Sequence, residues 1–128
     1  EEDHTSKISK NLLENWEQFK DSINELGELE VIPKGPYISV MCGSKTLCYC
    51  NFKTTHILVE MVRGTLKKDG TKSKNFFNID DPKKISKPYS WNWKNGSKGN
   101  IYKIRFDEKS DLDYLMFLIK QKYNSING

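Results

Sequence analysis

The sequence predicts an α+β fold, a two-layer sandwich with helices near both chain ends packed on one face of a mainly antiparallel sheet. Three observations support this prediction. Amphipathic helical patterns lie near both ends of the chain, runs with the alternation of β-strands lie between them, and these strands follow one another without crossover helices. The 128 residues are enough for one domain with its own core, and the predicted order of elements is α-β-β-β-β-α.

The first predicted helix covers residues 9–26, because apolar side chains recur there at spacings of three and four residues. They are Leu12, Trp16, Phe19, Ile23 and Leu26. Gly27 is placed to end the helix. Residues 1–8 are expected to be a disordered start or a linker, and residues 9–126 a single α+β domain. Since the chain starts at "EEDHTSK" without methionine, we expect the domain to be excised from a longer protein.

Three consecutive strands are predicted after a segment rich in Pro and Gly. Gly43 and Ser44 lie between the runs "YISVMC" and "KTLCYCNF", which predicts a type II′ hairpin with Cys42 opposite Lys45. That pairing would divide the hairpin into one face with Ile38, Val40, Cys42, Leu47 and Tyr49 and another with Tyr37, Ser39, Met41, Thr46, Cys48 and Cys50. The run "THILVEMVR" supplies the third strand.

The second half of the chain contains an irregular segment, a strand and a helix. Residues 64–78 have neither helical nor strand periodicity, and "IDDPKKIS" at 79–86 predicts a turn leading to a short helical piece. Residues 101–106 alternate as a strand that places Lys103 and Arg105 on one face. Ser110 is expected to cap the final helix, over 110–124. Its predicted buried stripe is Leu112, Leu115, Met116, Ile119 and Tyr123.

Charge is distributed unevenly along the chain. Residues 1–30 contain nine acids and three bases, whereas residues 63–109 contain thirteen bases and five acids, a net charge of +8. This segregation favours an anionic partner for the basic half, and the alternative is a lysine-rich surface that is simply solvated. Three cysteines, an odd number, indicate a reducing cytoplasm rather than a disulfide framework. No run is apolar and long enough to predict a membrane span.

The sequence offers no convincing catalytic or metal site, so we expect no enzyme activity, metal or cofactor. His56 and Glu60 share a predicted strand face, but a histidine base needs a partner within hydrogen-bond reach. Asp80–Asp81–Pro82 is typical of an Asx turn at a helix start. Cys48 and Cys50 are closer in sequence than the ligand pairs of most zinc sites and are better interpreted as buried hydrophobic residues.

Aromatic and basic residues alternate in the stretch "YSWNWKNGSKGNIYKIRF" at 89–106. In an extended chain the first three aromatic side chains share one face, and rings beside lysines suit base stacking with phosphate contacts. The candidate nucleic-acid-binding residues are Tyr89, Trp91, Trp93, Lys94, Lys98, Lys103 and Arg105. Alternatively, the two tryptophans pack beneath the preceding loop. Phe76 and Phe77 lie beside lysines and could likewise either contact a ligand or pack in the protein. Because adjacent residues of a strand face opposite ways, at most one of the two can be well buried.

Parts of the chain resemble a known family. "IDDPKKIS", "NGSKGNIYKIRF" and "EKSDLDYLMFLIKQKYNSI" resemble the C-terminal signature of an uncharacterised bacterial domain labelled "predicted transport protein", which occurs alone or at the C-terminus of restriction- and defence-associated proteins. The resemblance covers roughly residues 17–126, although residues 64–78 are longer and richer in lysine than the family pattern. The topology is also similar to that of YjbR-like domains, which are associated with DNA binding.

Together, the charge pattern and the resemblance imply a non-catalytic accessory domain of a bacterial restriction- or defence-type protein. Its expected partner is nucleic acid, with DNA favoured over RNA, and no membrane is involved. The alternative is a protein-interaction or dimerisation module that uses the same aromatic side chains to contact other domains of the parent protein or a second copy. Binding of nucleic acid should weaken steeply with salt, whereas the alternative predicts much weaker salt dependence.

Overall fold

The computed structural model describes residues 1–127, which form three helices and a six-stranded antiparallel sheet. In chain order these elements are α1 (Glu2–Thr5), α2 (Lys10–Asn24), β1 (Glu30–Pro33), β2 (Ile38–Cys42), β3 (Lys45–Phe52), β4 (Ile57–Leu66), β5 (Ser86–Asn92), β6 (Lys98–Phe106) and α3 (Leu112–Asn127). The predicted α+β class is confirmed, because α2 and α3 contact each other and pack on one face of the sheet. No helix within residues 1–127 combines the length and apolarity needed to cross a membrane.

The strand order is β1-β2-β3-β4-β6-β5, so the chain leaves β4, forms the outer strand β5 and returns as β6 beside β4. Two of these strands, β1 and β5, lie at the edges of the sheet and were not among the four predicted from sequence. Each contains a proline, Pro33 in β1 and Pro88 in β5. An edge strand tolerates proline because one side of its backbone has no hydrogen-bond partner in the sheet, but proline weakens the strand signal in the sequence.

The hairpin turn predicted at Gly43–Ser44 is present, with Cys42 opposite Lys45. The φ angle of Gly43 is +62°, a conformation that glycine adopts without the steric penalty of a side chain. A β-bulge then interrupts the pairing, since the residues on either side of Leu47 face consecutive residues of β2. A bulge places one extra residue on one strand and therefore reverses the side-chain alternation beyond it.

The predicted assignment of hairpin faces is consequently wrong beyond the bulge. Val40 pairs with Cys48 and Ile38 with Cys50, and all four side chains are buried in the core beneath the helices. Tyr49 lies on the opposite face, which the helices leave uncovered. The physical reason is that a single inserted residue shifts a pattern whose period is two.

The core lies between the helices and the sheet. Four residues of the predicted stripe are buried there, namely Leu12, Trp16, Phe19 and Ile23, and Trp16 and Phe19 are fully inaccessible to solvent. Leu26 lies beyond the end of α2 and is half-buried. The indole of Trp16 packs edge-on against Phe52, with the ring centroids 4.9 Å apart. From α3, Leu115 is 2 % exposed and joins the same cluster. The two helices are therefore held on the sheet by a shared apolar layer.

Residues 1–8 are not the disordered start or linker that we expected from the sequence. Residues 2–5 form α1, and His4 is buried with its Nε2 atom 2.7 Å from the carbonyl oxygen of Lys34. The carboxylate of Glu1 accepts a hydrogen bond of 2.8 Å from Nε1 of Trp16. These polar contacts attach the start of the chain to the core.

The irregular segment after β4 folds back along the end of that strand. The backbone N–H of Phe77 donates to the carbonyl of Arg63 over 2.8 Å. Phe77 is buried and Phe76 half-buried, as expected for adjacent residues. The helical piece predicted at 79–86 is absent, because Lys84 has a φ of +54° and Ser86 already begins β5.

The start of α3 is capped by a different residue from the one predicted. The side chain of Asp111 accepts from the backbone N–H of Tyr114 over 3.2 Å, whereas Ser110 Oγ accepts from the N–H of Asp107. The buried face also differs from the predicted stripe. It is centred on Leu115, Leu118, Ile119 and Lys122. A lysine at the centre of that face is unusual because its charge normally requires solvent.

The ammonium group of Lys122 lies inside the protein. Its Nζ atom donates a 2.6 Å hydrogen bond to the carbonyl of Val62, beside the bulge in β4, and lies 5.0 Å from the ring centroid of Phe77. Burial lowers the pKa of Lys122 below its ordinary value. This lysine therefore joins α3 to β4 at the expense of its own hydration.

We expect Lys122→Met to reveal this burial as a change in the pH dependence of stability. The unfolded state binds the lysine proton more tightly than the folded state, so the unfolding free energy of the wild type should rise with pH in the alkaline range below about 10.4. Urea denaturation between about pH 7 and pH 10 should show the wild type gaining stability relative to the variant. The exposed neighbour Lys120→Met is the control, and a constant difference for Lys122→Met across that range would contradict the prediction.

Candidate nucleic-acid interface

The face of the sheet that the helices leave uncovered contains a groove of about 490 Å³. Five aromatic side chains line this aromatic groove, and they are Tyr37, Tyr49, Tyr89, Trp91 and Trp93. Pockets of a few hundred cubic ångströms commonly bind small ligands or individual chemical groups of a larger one. Concentration of so many rings on a solvent-facing surface marks this groove as the main candidate site.

Strand register determines the width of the groove. One row of paired residues runs across the sheet from Tyr49 on β3 through Glu60 on β4 and Lys103 on β6 to Lys87 on β5. Because neighbouring strands are about 4.8 Å apart, the four strands of this row span about 14 Å. The groove can therefore accommodate a flat aromatic group between its tyrosine side on β3 and its tryptophan side on β5.

The tryptophan side of the groove depends on the glycine opposite Trp91. Trp91 pairs with Gly99, and a Cβ atom on Gly99 would overlap the indole of Trp91. The absence of a side chain lets the half-buried indole of Trp91 lie directly against the backbone of β6. Trp93 then packs edge-on against Trp91, with ring centroids 5.8 Å apart, and remains 43 % exposed. One tryptophan thus supports the other.

A tight hairpin loop holds Trp93 in place. The backbone N–H of Trp93 donates to the carbonyl of Ser97 over 2.9 Å, and the Asn95 side chain accepts from the Ser97 N–H over 2.9 Å. Gly96 has a φ of +85°, which closes the loop in a conformation that other residues rarely adopt. The loop is therefore held by its own hydrogen bonds, which position the backbone of Trp93, while its ring packs against Trp91.

Lys103 contributes a positive charge to the groove. Its Nζ atom lies 4.0 Å from the centroid of the Tyr89 ring, within the distance of a cation–π interaction. Tyr89 is 52 % exposed, so the outer part of the pair faces solvent. The ammonium group of Lys103 therefore supplies a positive charge and a hydrogen-bond donor at the wall of the groove.

The structure brings four of the seven candidate residues together. Tyr89, Trp91, Trp93 and Lys103 line the aromatic groove. Lys94 and Lys98 lie exposed at the end of the β5–β6 hairpin, outside the lining.

Arg105 is the candidate that the structure places elsewhere. It is exposed near the end of β6, where its Nε atom forms an ion pair with Asp107 over 3.0 Å and its guanidinium lies 3.1 Å from Nδ1 of His56. Its charge is thus engaged outside the aromatic groove, which corrects the prediction that it belongs to the same site. The prediction that Lys103 and Arg105 share a strand face is confirmed by the alternating burial of β6.

Sequence reasoning missed the tyrosine side of the groove. Tyr37 and Tyr49 pack edge-on with ring centroids 4.9 Å apart, although the predicted hairpin placed them on opposite faces. The bulge at Leu47 brings them together, and no simple periodicity reveals it. Asn51, two residues beyond Tyr49 on the same face, could have been added only after that correction.

Glu60 is the second feature that the sequence did not assign to the groove. It is half-buried in the middle of the cross-strand row, between Tyr49 and Lys103. Within residues 1–127, no hydrogen bond or ion pair engages its carboxylate. An acceptor without a partner on the floor of an aromatic groove is available to a ligand.

The polar residues considered for catalysis make local contacts with neighbouring side chains. Nδ1 of His56 lies 3.1 Å from Oγ1 of Thr55, and burial together with the charges of Arg105 and Lys53 lowers the pKa of His56. Burial alone would raise the pKa of Asp81, but hydrogen bonds from Ser86 and Tyr114 outweigh this effect and lower it.

The two neighbouring cysteines lie in the core, where their Sγ atoms are 4.0 Å apart. The contact with Cys48 and then burial raise the pKa of Cys50 well above its ordinary value, which keeps Cys50 in its thiol form. Across residues 1–127, no group of three or more His, Cys, Asp or Glu side chains is arranged to hold a metal ion.

Comparison with known proteins found no protein-family model, no curated protein and no solved structure that matches the chain. The resemblance to the "predicted transport protein" family therefore stays a prediction from sequence.

Proposed function

We propose that this domain binds single-stranded nucleic acid in the aromatic groove. The observation that supports this proposal most strongly is the combination of five aromatic rings with Lys103 on the uncovered face of the sheet. Every nucleobase has a flat π-face that can stack on an aromatic side chain, and each stacked base contributes about 1–3 kcal/mol. A sheet with exposed rings is a common platform for such stacking.

Unpaired bases suit this groove better than a duplex. Bases inside a duplex are already stacked on their neighbours and expose only their edges, whereas an unpaired base can insert its face between aromatic side chains. The backbone of Trp93 is held by its loop and its ring packs against Trp91 while remaining 43 % exposed, so a base can stack on a ring that is already supported. The span of about 14 Å from β3 to β5 accommodates one base and its sugar.

Lysines beside the groove supply contacts for phosphate groups. Lys87 is exposed on β5 in the same cross-strand row as Lys103, and Lys94 is exposed in the hairpin loop next to Trp93. Lys98 is exposed at the start of β6, on the face opposite to that of Gly99. Acidic residues of α2 lie in the helical layer on the other side of the sheet, where Glu14, Glu17 and Asp21 are exposed. This distribution favours approach of a polyanion to the groove rather than to the helices. The restriction- and defence-associated resemblance favours DNA as the partner.

Fluorescence anisotropy of labelled oligonucleotides tests this function. We expect the wild type to bind a single strand of nine nucleotides more tightly than a duplex of the same length, and to lose affinity between about 50 and 200 mM salt. Lys94→Gln should reduce the slope of log K against log salt by about 0.7. Lys120→Gln, in the helical layer, should leave the slope unchanged.

The proposal is wrong if the single strand binds more weakly than about 10⁻⁴ M at low salt, the weak limit of non-specific binding. Self-association of the domain in sedimentation experiments, insensitive to salt, would then favour the alternative of a protein-interaction or dimerisation module.

A further inference from the structure

We infer that the aromatic groove selects guanine among unpaired bases, through the carboxylate of Glu60 and the ammonium group of Lys103. This inference rests on the proposed function and adds a base preference to it. It depends on two neighbouring side chains of opposite charge on the floor of the groove and on the pattern of donors and acceptors that they present.

Glu60 and Lys103 are directly opposite each other on β4 and β6. Side chains paired in this way have Cβ atoms about 5 Å apart, so their polar ends can contact adjacent atoms of one base edge. The Glu60 carboxylate has no partner within residues 1–127, and Lys103 makes its cation–π contact with Tyr89 on the groove wall. Both groups are therefore available in front of a base that stacks among the aromatic rings.

The pair presents a lysine donor next to two carboxylate acceptors. Guanine shows the complementary order along its Watson–Crick edge: the O6 acceptor, then the N1–H donor, then the amino group at C2. Lys103 can donate to O6, while the two oxygens of Glu60 accept from N1–H and the amino group. Hydrogen bonds to charged groups of this kind are shorter and stronger than those between neutral groups.

The other bases match this pattern less well. Thymine and uracil offer one acceptor and one donor, but their O2 atom would face the second oxygen of Glu60. In the orientation that guanine takes, adenine and cytosine place an amino donor opposite Lys103 and an unprotonated ring nitrogen opposite Glu60, so both contacts are repulsive. Turned over, they satisfy the two side chains with two hydrogen bonds, one fewer than guanine makes. A carboxylate left in the groove without a donor also loses solvation that nothing replaces.

Four single strands that differ only at the central position test this inference. They are oligothymidylates of nine nucleotides with guanine, hypoxanthine, thymine or adenine in the centre. We expect guanine to bind about 10- to 100-fold more tightly than adenine. Hypoxanthine lacks only the amino group at C2 and should bind with intermediate affinity.

Glu60→Gln is the decisive variant. Guanine affinity should fall, because glutamine replaces one acceptor by a donor, whereas affinity for the all-thymine strand should stay equal or rise, because a negative charge near the phosphates is removed. Glu14→Gln on the exposed face of α2 removes the same charge away from the groove and should change neither affinity. Circular dichroism of each variant verifies the fold.

Equal affinity of the wild type for all four strands would overturn the base preference while leaving the proposed function intact. Retention of guanine preference by Glu60→Gln would overturn the assigned role of Glu60. Failure of every strand to bind would refute the proposed function itself, and the inference with it.

Discussion

Trp16→Ala is expected to lower the free energy of unfolding by about 3–5 kcal/mol. The indole is fully buried, packs edge-on against Phe52 and stacks on Phe19 with ring centroids 5.6 Å apart. Alanine would leave a cavity between α2 and the sheet and would also free the Glu1 carboxylate that accepts from the indole. Urea denaturation followed by circular dichroism measures the loss.

Phe117→Ala provides the matched control, since this aromatic residue lies on α3 and is 42 % exposed. Truncation of an exposed side chain should change stability by less than about 1 kcal/mol. Comparable losses of unfolding free energy for Trp16→Ala and Phe117→Ala would show that Trp16 is not buried between α2 and the sheet.

Trp93→Ala is expected to weaken binding of a single-stranded oligonucleotide about 5- to 150-fold, the equivalent of one lost stacking interaction. Stability should change little, because Trp93 is exposed and its loop is held by backbone contacts. Trp91→Ala should reduce both affinity and stability, because the indole of Trp91 covers Gly99 and supports Trp93. Anisotropy titrations at fixed salt, paired with urea denaturation, separate the two effects.

Phe117→Ala again serves as control, because it removes an exposed ring from the opposite side of the protein. If Trp93→Ala and Phe117→Ala bind equally well, the exposed tryptophan does not stack on a base. If Trp93→Ala loses affinity because it unfolds, the prediction that the loop hydrogen bonds keep this variant folded is wrong.

Most of the fold could be predicted because its signals are local. The apolar stripe of α2 and the glycine turn at Gly43 each depend on a few neighbouring residues, and both are present in the structure. The edge strands β1 and β5 were missed because the sheet, rather than their own sequence, holds them extended. Lys122 was missed in the core stripe of α3 because only tertiary packing explains a buried lysine.

The site was only partly predictable, for a related reason. Alternation correctly brought Tyr89, Trp91 and Trp93 to one surface, since they are close in sequence. Tyr49 required knowledge of the bulge, which arises from the pairing of two strands. Arg105 could not be separated from Lys103 by sequence, because its ion pair with Asp107 depends on the end of β6.

Nuclear magnetic resonance titration of the wild type with a single-stranded oligonucleotide tests the central claim most directly, namely that the uncovered face of the sheet binds nucleic acid. In a uniformly ¹⁵N-labelled protein at low salt, we expect chemical-shift changes at the backbone amides of Glu60, Trp91 and Lys103 and at the indole N–H of Trp93. The amides of α2 and the exposed face of α3 should not change. Shifts confined to the helical layer, or no shifts at all, would contradict the claim.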